Sequence, residues 1–154
     1  YNRDGEFFFN GWDGEESATG TLTSSAVTVG GSGFMTFRLG GGKNTDLCRL
    51  EVVDAETGEV LARYGNTMFS DANFGSIVPG TSGNPANAAD AGVYLANMVL
   101  YKADLSAFLG RRVVLRLVDE ATSDWGLLFA DAFVTYYETS EGVPADALLA
   151  ENLL

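Results

Sequence analysis

With no histidine and a single cysteine, this chain has to draw any chemistry from its carboxylates, its two tryptophans and a few arginines. Paired carboxylates cleave glycosidic bonds, one as acid and the other as base or nucleophile, when a fold holds them at a fixed separation. Asp13, Glu15, Glu16, Asp46, Asp119 and Asp131 are among the candidates, but in a chain with 21 acidic residues chance neighbours are expected. Separation across a fold is not written in spacing along the chain, so most of these acids read as a solvated surface. Zinc sites and histidine-based triads lose their usual members. Cys48 lies in the strand-like run "LCRLEVV", where a small buried hydrophobe is the simpler role.

A binding site asks for less than a catalytic one: an aromatic platform for the apolar face of a sugar ring and a few polar groups for its hydroxyls. Trp125 in "TSDWGLL" and Trp12 in "FNGWDGEE" are the platforms on offer. Each reads equally well as an outward indole in a tight turn or as a core aromatic at the start of a strand. The stretch "FRLGGGKNTD" resembles a phosphate loop only superficially, because Phe37 and Asn44 stand where such a loop needs glycine and Ser or Thr. It reads as a strand that ends near Leu39 and turns on glycines that tolerate positive φ. If Met35, Phe37 and Leu39 face the core, Arg38 faces the other side of its sheet. There it is either a solvated arginine or one placed to fork onto sugar hydroxyls or a carboxylate such as Glu16. Asn44, Asp46 and Asp124 are the further hydroxyl partners, with Lys43 beside them. A calcium ion would need oxygen ligands from separate segments, for example Glu16 and Asp131, since no EF-hand loop is present.

The elements that must position these residues are short and β-rich. Alternating or β-branched runs cover 6–9, 26–29, 34–39, 47–54, 60–64, 93–101, 113–119 and 127–137, separated by glycine-rich turns. About eight antiparallel strands, in an all-β sandwich, are the expectation. In "CRLEVVDAETGEVLARY" the Glu-Thr-Gly between two alternating segments predicts a hairpin with Cys48, Leu50 and Val52 inward and Arg49 and Glu51 outward. One short helical turn is expected at "DLSAFLGRR", started by Asp104 and ended by Gly110, with Leu105, Phe108 and Leu109 on one face. Residues 70–92, rich in Gly, Ala, Asn and Pro, read as a long surface loop. Residues 1–139 form the module, and 140–154, after a proline break, form a linker or interdomain tail able to make two helical turns.

Composition narrows the partners. A length of 154 residues suits one domain with its own core, and no apolar run approaches the ~20 residues of a membrane helix. Nine basic against 21 acidic residues give a net charge of -12, which repels nucleic acids and anionic lipid surfaces. The same charge suits an extracellular or cell-surface protein with a neutral ligand.

The segments "ESATGTLTSSAVTVGGSGFMTFRLGGG", "LEVVDAETGEVLAR" and "KADLSAFLGRRVVLRLVDEATSDWGLLFADAF" together resemble the accessory β-sandwich module of bacterial β-fructosidases of glycoside hydrolase family 32. That module is similar to the galactose-binding-like jelly roll and to fructan-binding modules. The resemblance implies a noncatalytic, carbohydrate-binding or accessory role in a secreted enzyme acting on levan, inulin or sucrose. Its partners would be an oligo- or polysaccharide and the catalytic domain of the same chain. Glu16, Arg38 with the glycines after it, Asp124, Trp125 and Asp131 fall on the module's characteristic stretches. No cofactor is implied beyond a structural calcium. The 70–92 loop is longer than the resemblance leads one to expect, and the module's first strand is expected upstream of Tyr1 or missing. Two rivals stand beside this reading: a spacer that packs on the catalytic domain without a ligand, and a small carboxylate-based glycosidase.

Overall fold

The computed structural model describes residues 2–69 and 98–154. They form an all-β sandwich of two five-stranded sheets. The strands in chain order are β1 (Phe9–Asn10), β2 (Gly20–Thr23), β3 (Val27–Thr28), β4 (Phe34–Gly41), β5 (Cys48–Asp54), β6 (Val60–Tyr64), β7 (Val99–Asp104), β8 (Arg112–Asp119), β9 (Leu128–Val134) and β10 (Leu148–Leu149). The first sheet runs β1-β9-β4-β7-β10, and the second runs β2-β8-β5-β6 with β3 also paired to β8.

Alternation drives the assembly. Phe37 and Leu39 of β4, Cys48, Leu50 and Val52 of β5, and Val113, Leu115 and Leu117 of β8 point into one shared core. Each such side chain contributes roughly 1.5–3 kcal/mol on burial, and Phe37 ties the layers together by packing its ring 5.8 Å from Tyr64 and 6.1 Å from Tyr101. The β5–β6 hairpin forms as its sequence predicts, with Asp54 Oδ1 accepting the amides of Glu56 and Thr57 at 2.9 and 2.8 Å. The outward face of β5 is buried too, because Glu51 sits under Arg49 and Arg116 and accepts from both guanidiniums.

Three expectations are corrected. β2 was not anticipated: its four residues are all exposed, so it carries no two-residue burial rhythm. The antiparallel scheme is broken where β10 pairs in parallel with β7. Finally, the helical turns expected over 140–154 give way to a 3₁₀ turn at Ser140–Gly142 followed by β10. Beyond β10, the Ala150 amide donates to Lys102 and the Leu153 amide to Arg63, so this tail crosses from the edge of one sheet to the edge of the other.

The expected turn after β7 is present as a 3₁₀ turn, Ser106–Phe108. The Asp104 carboxylate accepts the Ser106 amide at 2.9 Å, and Gly110 (φ 84°) follows. It joins the two sheets, but Leu109 faces solvent instead of sharing the buried face of Leu105. The 70–92 loop, and residues 93–97 of the strand expected over 93–101, lie outside the described residues. Among the described residues, no helix is long and apolar enough to cross a membrane.

Strand direction sets where the loops emerge. β4 and β6 end where β5, β7 and β9 begin, and β8 ends there against the first residue of β2. Residues 11–19, 42–47, 65–69 and 120–127 therefore share one end of the sandwich.

Candidate functional site

That loop end is built around the triple glycine. Gly41 and Gly42 adopt φ of +64° and +61°, and a Cβ on Gly41 would lie 2.2 Å from the Leu127 carbonyl oxygen. The backbone therefore presses against the 120–127 loop, and the Gly42 amide donates to the same oxygen at 2.8 Å. Past the glycines, Lys43 Nζ binds the Asp124 carboxylate at 3.0 and 3.1 Å. The Asn44 side chain accepts the Asp46 amide at 3.0 Å, and the Asp46 carboxylate lies 3.5 Å from Arg63. The structure thus brings Asn44, Asp46, Asp124 and Trp125 to one end.

Trp125 is half-buried and packs against the core. Asp124 and Trp125 both take left-handed φ, 58° and 63°, and the reversal folds the indole back onto the core. It meets Phe69 edge-on at 5.6 Å. Of the alternatives left open by the sequence, the core role fits this residue and the outward role fits Trp12. Trp12 is 46% exposed in the loop after β1, where its amide is held by Asn10 Oδ1 at 2.9 Å.

Arg38 lies elsewhere. It is three residues back along β4 from Gly41, about 10 Å at strand rise, and is only 9% exposed. Alternation correctly puts it on the outer face, between Asp131 of β9 and Leu100 of β7 in the pairing register. The N-terminal segment crosses the same face. Asn2 Nδ2 donates to the Met98 carbonyl, the Asp4 amide donates to the Asp131 carboxylate at 2.7 Å, and Phe8 packs edge-on against Phe129. Arg38 therefore lies largely buried in the face that the N-terminal segment crosses, away from the loop end that gathers Asn44, Asp46, Asp124 and Trp125. Glu16 sits in the 11–19 loop and Asp131 within β9. Among the described residues no three acidic or thiol groups gather as metal ligands, and Asp131 is already engaged.

Sequence reasoning missed a cleft beside Trp12. A cavity of about 290 Å³ opens between β1 of one sheet and the start of β2 of the other, lined by Phe9, Asn10, Thr19, Thr21, Leu117 and Asp119 among others. Asp119 is the one ionisable residue among the described residues of its wall. Its Oδ1 accepts from the Cys48 thiol at 3.4 Å and the Ala121 amide at 3.2 Å. Burial pushes the Asp119 carboxyl above its ordinary range, against the downward pull of Cys48 and of the Ala121 and Leu128 amides. Burial, then the Asp119 charge, pushes the Cys48 thiol up to about 12. The signal was available in the sequence: β8 reads Val113, Leu115, Leu117, Asp119 on its inward positions, an acid where the alternation calls for an apolar residue. Further along the same open edge, a second cavity of about 330 Å³ is walled by Leu22, Val27, Leu50, Leu115 and Phe133, with hydroxyls at its rim.

Fold and site together define an all-β sandwich with a mixed polar and aromatic loop end. No protein-family model, curated protein or solved structure matches this chain.

Proposed function

We propose that this chain is a noncatalytic carbohydrate-binding module with a galactose-binding-like jelly-roll topology, accessory to a secreted β-fructosidase of glycoside hydrolase family 32 type. The observation that carries the reading is the gathering of Trp12, Asn44, Asp46 and Asp124 at one end of the sandwich, beside a cleft. Trp12 supplies an apolar face for a sugar ring. Asn44, Asp46 and the Lys43–Asp124 pair supply donors and acceptors for hydroxyls, and Trp125 stiffens the loop from beneath. A net charge of -12 suits a neutral polymer, with levan or inulin favoured by the resemblance. Tethering then acts through effective concentration: a weak contact keeps the catalytic domain of the same chain near its polymer. A glycosidase reading needs two carboxylates, and Asp119 is the one carboxylate among the described residues of the cleft wall.

Affinity electrophoresis through gels containing levan, inulin or an unrelated glucan tests the proposal. Retardation by a fructan supports it, and unaltered mobility in every polysaccharide overturns it. The second reading is a ligand-free spacer on the catalytic domain, favoured by the packing of Trp125 onto Phe69.

A further inference from the structure

An edge strand leaves a row of backbone groups without partners, and proteins guard such rows with very short strands, charges, proline or a covering segment. Other edges of this sandwich are guarded in these ways. β1 and β10 are each two residues long. The tail crosses β6, where the Leu153 amide donates to the Arg63 carbonyl and the Asn152 side chain accepts the Arg63 amide at 3.0 Å. The edge formed by β2 and β3 has no such guard. Among the described residues both strands pair with β8 alone, and residues 17–37 contain neither an ionisable side chain nor a proline.

We propose that this edge joins a second copy of the chain, with β2 pairing antiparallel to the partner's β2 about a two-fold axis at Leu22. The register follows from the ladder already present. The Ser24 amide donates to Leu115 of β8 at 2.9 Å. Backbone groups alternate sides along an antiparallel strand, so those of Gly20 and Leu22 also turn to β8, and those of Thr21 and Thr23 turn to the open edge. With the axis at Leu22, Thr21 meets the partner's Thr23, and each such pair exchanges both of its N–H···O bonds. Leu22 then meets the partner's Leu22 in the closer, non-hydrogen-bonded kind of pair. Both leucines face inward, because Leu22 lies opposite Leu117, a core residue. Leu22 also walls both cavities of this edge, so the partner's Leu22 covers the mouth they share. On the outer face Thr21 lies beside the partner's Thr23, a favourable cross-strand pair.

Charge selects the same edge. At a net charge of -12 two copies repel each other, and an edge free of charge is the approach that avoids it. The acidic loop with Asp13, Glu15 and Glu16 leads into β2 at Gly20. Antiparallel pairing sets that loop toward the partner's uncharged Ser24 and Ser25, away from the partner's own acids. The pairing is independent of what the loop end binds.

The test is sedimentation velocity of the intact chain at about 100 µM, roughly a hundred times a micromolar Kd. The wild type should sediment as a dimer. Leu22→Lys and Leu22→Glu each set like charges directly opposite across the axis, and either variant alone should sediment as a monomer with an unchanged circular dichroism spectrum. Mixed in equal amounts, the two should recover the dimer, which a misfolded variant cannot do. If either folds poorly, Leu22→Cys serves instead: oxidation by copper phenanthroline should join two chains through residue 22, while the buried Cys48 stays reduced. A dimer that persists in both charged variants, or no cross-link through residue 22, overturns the proposal. So does a monomeric wild type, and hydrogen exchange then says what the edge is for. Slow exchange of the Thr21 and Thr23 amides in the monomer means that the chain covers the edge itself, and fast exchange leaves it to a foreign strand.

Discussion

Gly41→Ala places a methyl group where the loop end is tightest. Its φ of +64° puts an L-residue in the left-handed region, at a cost of about 1 kcal/mol relative to glycine. The added Cβ would lie 2.2 Å from the Leu127 carbonyl oxygen, so strand and loop must separate by about 1 Å to restore contact distance, an overpacking strain of about 1–3 kcal/mol. That oxygen also accepts the Gly42 amide at 2.8 Å, and weakening this bond adds up to about 1 kcal/mol. Together the substitution should destabilise the fold by about 2–5 kcal/mol, which for 154 residues lowers Tm by about 4–20 °C. Gly58→Ala is the internal control. Gly58 has φ +76° with nothing within 4 Å of an added Cβ, so it carries only the backbone term of about 1 kcal/mol. Thermal and urea unfolding followed by circular dichroism compare the two. If Gly41→Ala loses no more stability than Gly58→Ala, the close approach of β4 to the 120–127 loop is wrong.

Other outcomes follow from the buried groups. Cys48, with its pKa pushed up to about 12, should be thiolate in only about one molecule in ten thousand at pH 8. Ellman's reagent should label it far more slowly in the folded protein than in urea, and equal rates would contradict its burial. Two backbone amides, aided by Arg111, lower the Asp54 carboxyl from 3.8 to about 2. Its folded pKa lies below the unfolded one, so its contribution is complete above about pH 4 and is lost as pH falls toward 2. Asp54→Asn should flatten the acid limb of stability in that window, and an unchanged limb refutes the assignment. Tyr101→Phe removes the 2.6 Å bond from the Tyr101 hydroxyl to Asn66 Oδ1 in the core and should cost about 1–2 kcal/mol by urea denaturation. No change would show that this bond is not formed.

Local pattern made the central strands legible. The hairpin of β5 and β6 carries both a two-residue alternation and its own turn chemistry, so its inward set, Cys48, Leu50 and Val52, could be read directly. β2 could not, because an exposed edge strand such as Gly20–Thr23 takes its place from β8, not from a rhythm of its own. Likewise the tail after 140 is apolar enough for helix or strand, and only the free edge of β7 decides. For Arg38, alternation gave the face, but burial depended on the N-terminal segment crossing that face, through contacts such as Asp4 to Asp131 that are remote in sequence. Trp125 was undecidable for a related reason: left-handed backbone at two successive non-glycine residues has no signature in "SDWG". Asp119 was readable as an acid on an inward position, but its cleft needed the relative placing of β1 and β2.

The central claim is that the loop end binds a neutral carbohydrate with Trp12 as its exposed platform. Calorimetric titration of the wild-type chain and of Trp12→Ala with levan at pH 7 tests it most directly. The account predicts saturable heat for the wild type and an affinity about tenfold weaker for the variant, roughly the loss of one stacking contact. Because Trp12 is 46% exposed, the variant's Tm should stay within about 2 °C of wild type. Equal affinity in the two proteins, or no heat from levan, inulin or any neutral glucan, would contradict it.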